Sequence, residues 1–177
     1  MGMTVSKNTL CNWLKKGKKY LDELVCVLKS IALEKDSIVN CDETWCKVRK
    51  YDHYKKCYIG VLVNKARKTA IFFYENGSCG RDVLTDFLGD AELKSIMSDG
   101  YNAYVFIGNE LKSARFKYGS DAGAGMAATY HSMIGTVKLH GSSVWNFIGT
   151  FFKKIFNGCR DYVNMVPDKI TLATSQC

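Results

Sequence analysis

The chain has 177 residues, of which 47% are hydrophobic and 24% charged, a mixture typical of one globular domain with appended segments. It contains no apolar run long enough to span a bilayer, and its first residues lack the apolar core of a secretory signal, so we expect a cytoplasmic protein with no membrane partner. The formal net charge of +8 favours an acidic partner, and nucleic acid is the first candidate because phosphates bind Lys and Arg. Charge alone is equally consistent with a basic protein that does not bind nucleic acid.

Eight cysteines are scattered along the chain, and none of them forms a C-x-x-C pair. This spacing argues against a zinc module and against a disulfide framework. We therefore expect buried, reduced thiols in a cytosolic protein.

The N-terminal segment, residues 1–36, is predicted to be a helical and basic arm. Residues 5–16 form a short helix opened by Ser6, Gly17 breaks it, and a longer helix follows to Ala32. Four lysines crowd the predicted turn and are candidates for DNA binding: Lys15, Lys16, Lys18 and Lys19. The alternative is a solvated turn on a packing helix, which is common for lysine clusters.

Residues 37–49 are dense in β-branched and aromatic residues and lack Pro and Gly, which predicts a β-strand. Side chains alternate between the faces of a strand, so Asp42 lies mid-strand on a mostly apolar or neutral face, whereas Glu43 points to the opposite face. A charge in that position is costly unless it meets a metal or a cation.

The next segments predict a sheet with a crossover. Strands at 57–63 and 70–74, joined by polar turns at 51–56 and 64–69, continue the first strand as an antiparallel meander. A helix at 81–88 and a short strand at 95–98 then form a right-handed crossover to a strand parallel to a neighbour. If that neighbour is the first strand, Asp42 and Asp99 come close together.

The C-terminal part, residues 119–177, is predicted to be a helical segment. Residues 101–107 begin another helix, residues 110–119 show no clear period, and two apolar stripes around a turn at 141–143 predict a helical hairpin. An aromatic stripe on the second of these helices is interpreted as core packing rather than a base-stacking surface, although part of it would be exposed in a shortened chain. Its members are Trp145, Phe147, Phe151, Phe152 and Phe156.

The order of elements is the opening order of the ribonuclease H-like fold, an α/β class, and several local sequences carry a closer resemblance. They are CDETW at 41–45, LVNK at 62–65, VLTDFLGD at 83–90, SDGY at 98–101, GSDAG at 119–123, AATYH at 127–131 and TVKLHG at 136–141. In this order they resemble insertion-sequence-66 family transposases, from about Ser6 to Ala173. The resemblance implies a partial catalytic core at 37–118 of the DDE type, which cleaves DNA and transfers strands with Mg²⁺ or Mn²⁺. It also implies that Asp42 and Asp99 are catalytic metal ligands and that the partner is DNA, the terminal inverted repeats of a mobile element at the nucleoid.

One departure from the family is as informative as the match. Only residues 102–121 join the second Asp to the C-terminal block, where the family has a long helical stretch that carries the catalytic Glu. Glu110 and Asp121 are the nearest carboxylates, and neither matches that position. We therefore expect a truncated, internally deleted remnant that binds Mg²⁺ weakly and does not transpose DNA alone. The alternative is a non-catalytic fragment that binds DNA, itself or an intact transposase.

Overall fold

The computed structural model describes residues 4–75, 77, 81–98 and 117–172. Within these ranges the elements are α1 (Lys7–Ala32), β1 (Ile38–Lys50), β2 (His53–Asn64), β3 (Thr69–Phe73), α2 (Arg81–Leu88), β4 (Ser95–Ser98), β5 (Lys117–Tyr118), α3 (Asp121–Leu139), α4 (Val144–Phe156) and a short 3₁₀ helix (Tyr162–Asn164). Asp99, Glu110 and the helix predicted at 101–107 lie outside the described residues. No helix among the described residues is long and apolar enough to cross a membrane.

The first helix is continuous, so the predicted break at Gly17 is wrong. Ser6 caps the helix as expected, because its hydroxyl accepts a hydrogen bond from the Thr9 amide. A glycine inside a helix costs about 1 kcal/mol relative to alanine, but tertiary packing overrides this preference here. A Cβ atom on Gly17 would lie 2.8 Å from the Tyr130 hydroxyl and 3.2 Å from the Phe152 ring. Gly17 therefore allows α1 to pack closely against α3 and α4.

The predicted meander and parallel fourth strand are confirmed. The strand order is β3-β2-β1-β4, with β1 antiparallel to β2, β2 antiparallel to β3, and β4 parallel to β1. The polar turn predicted at 51–56 is too long, because the ladder extends to the pair Lys50 and His53. The two-residue strand β5 was not predicted, and it pairs in parallel with β1 at Lys47 and Val48. This mixed α/β sheet is compatible with a ribonuclease H-like fold.

The sheet is covered on both faces by two hydrophobic clusters. One face carries Val39, Cys41, Leu62 and Ile71, which pack with α1, α3, α4 and the C-terminal segment. The other face carries Cys46, Val48, Ile59, Val61 and Phe72, which pack with Ala124 and Ala128 at the start of α3. Strand β1 thus contributes its first half to one cluster and its second half to the other.

Helix α3 protects the outer edge of β3. The Ser132 hydroxyl accepts a hydrogen bond from the Phe72 amide and donates one to the Phe72 carbonyl, and Thr136 makes the same pair of bonds with Ala70. One helical turn separates the two hydroxyls, which nearly matches the two-residue step along an extended strand. Side chains of α3 therefore satisfy the backbone groups that an edge strand leaves unpaired.

The aromatic stripe of α4 is divided between core and surface. Phe147 and Phe151 are fully buried, as the core interpretation predicts. Trp145 and Phe156 are 83% and 79% exposed, so that interpretation is wrong for them and the expectation of partial exposure is confirmed.

The six cysteines that the structure describes are free thiols. Cys41, Cys46 and Cys57 are buried on the sheet, as expected. Cys11 and Cys26 are exposed, contrary to the prediction, because they lie on α1 away from the side that carries its buried residues.

Candidate metal site at the end of the parallel strand pair

Helix α2 holds the crossover between β3 and β4 against the sheet. The Phe87 ring stacks on Phe73 of β3 with a centroid distance of 4.0 Å, and the Lys29 ammonium lies 4.1 Å from the centre of the Phe87 ring. The helix ends at Leu88, and the positive φ of 56° at the next residue, Gly89, suits glycine. These contacts fix where the chain re-enters the sheet as β4.

Backbone hydrogen bonds set the register of β4 on β1. The Lys94 amide donates to the Ser37 carbonyl at 3.0 Å, and the ladder continues through the pairs Ile38–Ser95, Val39–Ile96, Asn40–Met97 and Cys41–Ser98. Asp42 follows the last described pair on β1. Asp99 follows Ser98 in the sequence but lies outside the described residues, so its proximity to Asp42 stays a prediction.

Asp42 is half-buried and belongs to the same face of β1 as Asn40 and Thr44. One of its carboxylate oxygens accepts a hydrogen bond of 2.6 Å from the adjacent Glu43 amide. The ion pairs formed within the described residues do not include Asp42. Its carboxylate therefore keeps oxygen acceptor capacity of the type that Mg²⁺ and Mn²⁺ prefer.

The neighbouring thiol is a poor metal ligand. Burial, and to a smaller extent the charge of Asp42, raises the pKa of the Cys41 thiol to about 11. The thiol also packs in the hydrophobic cluster on the face of the sheet opposite to Asp42, so it is not placed to bind a cation together with that carboxylate. The chemistry available at this end of β1 is that of hard oxygen ligands.

Glu43 lies on the opposite face, as predicted. It pairs across the ladder with Gly60, and the space a Cβ would take on Gly60 is filled by the Phe73 ring, 2.1 Å away. Glu43 cannot bind a cation together with Asp42. Among the described residues, no group of three or more His, Cys, Asp or Glu side chains is placed to hold a metal ion.

Asp121 lies at the other end of β1. Its carboxylate accepts hydrogen bonds from the Lys50 ammonium and the Tyr74 hydroxyl, and these two groups hold its pKa below the ordinary value. Lys50 is eight residues beyond Asp42, or about 26 Å along an extended strand. Asp121 is therefore excluded as a third ligand beside Asp42. Sequence reasoning missed this cluster because 71 and 47 residues separate Asp121 from its partners.

The four candidate lysines lie on the surface of α1 rather than at a turn. Lys15, Lys16 and Lys19 are exposed. Lys18 is half-buried, and its ammonium lies 2.6 Å from the Asp22 carboxylate, which also accepts a hydrogen bond of 2.8 Å from the Thr129 hydroxyl. Lys18 therefore takes part in the contact between α1 and α3, whereas the other three project into solvent.

Comparison with known proteins identifies the family. The model of the family described as "Transposase IS66 family" matches residues 1–115, which is more than half of the 177 residues. The match includes α1, the meander, α2, β4 and both candidate aspartates, while the C-terminal blocks at 119–141 lie outside it. No curated protein and no solved structure matches the chain. The chain belongs to the IS66 family of transposases.

Proposed function

We propose that this chain is a DDE-type transposase core in which Asp42 and Asp99 hold a divalent cation, Mg²⁺ or Mn²⁺, and which lacks the third carboxylate needed to cleave DNA and transfer strands. The observation that carries the proposal is the parallel pairing of β1 and β4, whose last described pair is Cys41 with Ser98. Asp42 and Asp99 each follow one member of that pair.

The proposal extends this register by one pair. In-register residues of neighbouring parallel strands point to the same face, and the strands are about 4.8 Å apart. Two carboxylates so placed would be close enough to share one cation. Residues 37–118 would then form a partial ribonuclease H-like core, with the cation at the end of its central parallel pair.

The donors around Asp42 suit the proposed ion. Mg²⁺ binds one or two carboxylates and keeps several waters, and the half-exposed position of Asp42 leaves room for water. When bound in a complete site, such ions activate water and stabilise the leaving oxygen of a phosphodiester. Asp42 would supply one fixed oxygen ligand, held in orientation by the hydrogen bond from the Glu43 amide.

The missing third ligand is proposed on two grounds. The connection at 102–121 is too short for the family's helical stretch, and the Asp121 carboxylate is occupied by Lys50 and Tyr74 at the far end of β1. Two-metal phosphoryl transfer needs both ions fixed, because together they stabilise the attacking and leaving oxygens. We expect weak cation binding and no strand transfer by this chain alone.

The test is a titration of the purified chain with Mn²⁺, in which electron paramagnetic resonance measures the concentration of the free ion. Asp42→Ala should abolish the binding, while Glu43→Ala, the adjacent carboxylate on the other face, should leave it unchanged. Terminal-repeat DNA should remain uncut by the wild type and by both variants. Equal binding by wild type and Asp42→Ala would refute the site, and cleavage that depends on Asp42 would refute the inactive state.

A second candidate, a non-catalytic fragment that binds DNA or an intact transposase, is favoured by the exposed lysines of α1. Because released counterions drive binding to phosphates, the slope of log K against log[salt] should fall by about 0.9 for each phosphate that the protein no longer neutralises. We expect this reduction for Lys15→Ala, Lys16→Ala and Lys19→Ala. Lys18→Ala is the matched control, since its ammonium pairs with Asp22. Unchanged slopes in all four variants would exclude α1 from the DNA interface.

A further inference from the structure

The hairpin formed by β1 and β2 has one buried face and one exposed face in its outer half. Cys46 and Val48 of β1 are fully buried in the cluster that packs against the start of α3. The side chains that alternate with them along the strand are exposed, namely Trp45, Lys47 and Arg49. Because side chains of a strand alternate between its two faces, these three share the face opposite to the buried cluster.

The ladder between the two strands adds aromatic and basic side chains of β2 to the same face. The cross-strand pairs are Trp45 with Tyr58, Lys47 with Lys56, and Arg49 with Tyr54, and we call these six residues the hairpin face. The exposed fractions of the Trp45 and Tyr54 side chains are 36% and 51%. The hairpin face therefore carries a row of basic side chains with an exposed aromatic ring at each end.

The positive charges of this row are not neutralised within the described part of the chain. Lys47 and Lys56 stand directly opposite each other, an arrangement in which like charges repel and lower stability. The ion pairs among the described residues include neither of them, nor Arg49. The Lys56 ammonium instead lies 5.8 Å and 5.3 Å from the ring centres of Trp45 and Tyr58, which carry no charge. A bound anion would remove the repulsion between the lysines.

The acidic side chains of the hairpin lie beyond the two ends of the row. Glu43 is exposed on the same face of β1, on the far side of Trp45 from the lysines. Asp52 lies in the turn, where its carboxylate is 2.8 Å from the His53 ring. The row between them is purely basic and aromatic, so the hairpin face is suited to a polyanion.

We propose that the hairpin face binds single-stranded DNA, with phosphates at the three basic side chains and bases stacked on the rings of Trp45 and Tyr54. Proteins that bind single strands combine basic side chains along the backbone with aromatic rings on which successive bases stack. Four residues separate Trp45 from Arg49, or about 13 Å along an extended strand. This distance accommodates about four stacked nucleotides at about 3.4 Å each.

Two features favour a single strand of DNA over other polyanions. Exposed aromatic rings can stack on unpaired bases, whereas the bases of a duplex are already stacked on one another. The choice of DNA rests on membership of the IS66 family of transposases. Binding does not require the proposed cation, because Asp42 lies on the opposite face of β1.

The test is fluorescence anisotropy of a labelled oligo-dT of about 12 nucleotides, titrated with the full chain in a chelating buffer at several salt concentrations. Lys47→Gln and Arg49→Gln should each reduce the slope of log K against log[salt] by about 0.7, the value for one phosphate of a single strand. Tyr54→Leu should weaken binding at least about 5-fold, whereas Tyr54→Phe, which keeps the ring, should bind like wild type.

Matched controls separate the hairpin face from the net charge and from other exposed rings. Lys55→Gln removes an exposed lysine from the other face of the same hairpin and should bind like wild type. Trp145→Ser removes an exposed ring outside the hairpin and should also have no effect. Asp42→Ala should bind normally, so a failed metal site and a failed hairpin face give different results. Circular dichroism would verify that each variant is folded.

Four results would overturn the proposal. The first is a wild type that does not bind the oligonucleotide, and the second is a Tyr54→Leu variant that binds like wild type. The third is an equal loss of salt dependence in Lys55→Gln and Lys47→Gln, which would show a response to net charge alone. The fourth is tighter binding of a duplex of the same length, which would favour a β-ribbon that lies in a groove of duplex DNA.

Discussion

The two ends of β1 each involve a carboxylate, but the fold treats the two differently. Near the start of the strand, Asp42 accepts a hydrogen bond from the adjacent Glu43 amide and takes part in none of the ion pairs among the described residues. At the far end, Lys50 of β1 and Tyr74 beyond β3 both donate to Asp121 at the start of α3. The Asp42 carboxylate therefore keeps oxygen atoms that could bind a cation. The oxygen atoms of Asp121 instead accept the hydrogen bonds that join β1, the residue after β3 and α3.

This difference shows how a structural carboxylate can be told from a candidate ligand. A neutralised and hydrogen-bonded carboxylate contributes to stability, and its removal leaves its partners unsatisfied. A carboxylate left at the end of a parallel strand pair contributes little to stability and is free to serve chemistry. If this distinction holds, mutations at the two ends of β1 should differ in their effects on stability and on cation binding.

The largest effect should come from Gly60→Val, which attacks the packing that positions the Asp42 end. A Cβ atom there would lie 2.1 Å from the Phe73 ring, which stacks on Phe87 of the crossover helix. Overpacking of this kind should lower the free energy of unfolding by about 3 kcal/mol and weaken Mn²⁺ binding with it. Urea denaturation measures the decrease. Gly125→Ala, whose Cβ meets no heavy atom within 4 Å, is the control and should be neutral or slightly stabilising. Equal stability of wild type and Gly60→Val would contradict the packing.

Next in size is the contrast between the two aspartates. Asp121→Ala should lower the free energy of unfolding by about 1–2 kcal/mol, mainly because the Tyr74 hydrogen bond is removed, since the ion pair with Lys50 is about one-third exposed and therefore screened. Asp42→Ala should change it by no more than about 0.5 kcal/mol in the absence of metal. Thermal and urea unfolding in a chelating buffer measure both. A larger loss of stability in Asp42→Ala than in Asp121→Ala would contradict the distinction between a structural carboxylate and a candidate ligand.

A smaller effect should appear when pH is lowered. Lys50 and Tyr74 hold the pKa of Asp121 below its ordinary value, so below about pH 5 the unfolded chain binds more protons at this group than the folded chain. The stability that wild type gains over Asp121→Asn should therefore be complete above about pH 5 and shrink as the pH falls through about 4. Tyr74→Phe should reduce the difference in part. A constant difference between neutral and acidic pH would exclude the linkage.

The smallest effect concerns the thiol beside Asp42. With a pKa raised to about 11, Cys41 should react with iodoacetamide at mildly alkaline pH more than about 100-fold slower than an ordinary thiol. Burial is the larger cause, so Asp42→Asn should accelerate the reaction only slightly. Mass spectrometry of the labelled peptides would measure both rates, with exposed Cys11 as the internal reference. Rapid labelling of Cys41 in Asp42→Asn would show that the charge, rather than burial, protects the thiol.

Local patterns were sufficient to predict the part of the fold that places Asp42. The density of β-branched and aromatic residues predicts β1 to within a residue at each end, and the strand–helix–strand order predicts its parallel pairing with β4. The alternation of side chains along β1 correctly separates Asp42 from Glu43. These features depend on residues that are close together in the sequence, so local patterns were enough to predict them.

Features that depend on distant contacts could not be predicted. The sequence predicts a helix break at Gly17, because the residues that Gly17 allows to pack closely, Tyr130 and Phe152, are far away in the sequence. The strand β5 has only two residues, too few for any period. Lys50 comes directly after the strand predicted at 37–49, and the sequence around it does not indicate a partner 71 residues away. In each case the structure depends on contacts between residues that are far apart in the sequence.

The most direct test of the proposed metal site is a crystal structure of the chain with Mn²⁺, in which anomalous scattering locates the ion. We expect a peak about 2.1 Å from an Asp42 carboxylate oxygen, shared with Asp99, and none at Asp121. A peak at the Lys50–Asp121 end of β1, or Asp99 on the face of the sheet opposite Asp42, would contradict the proposal.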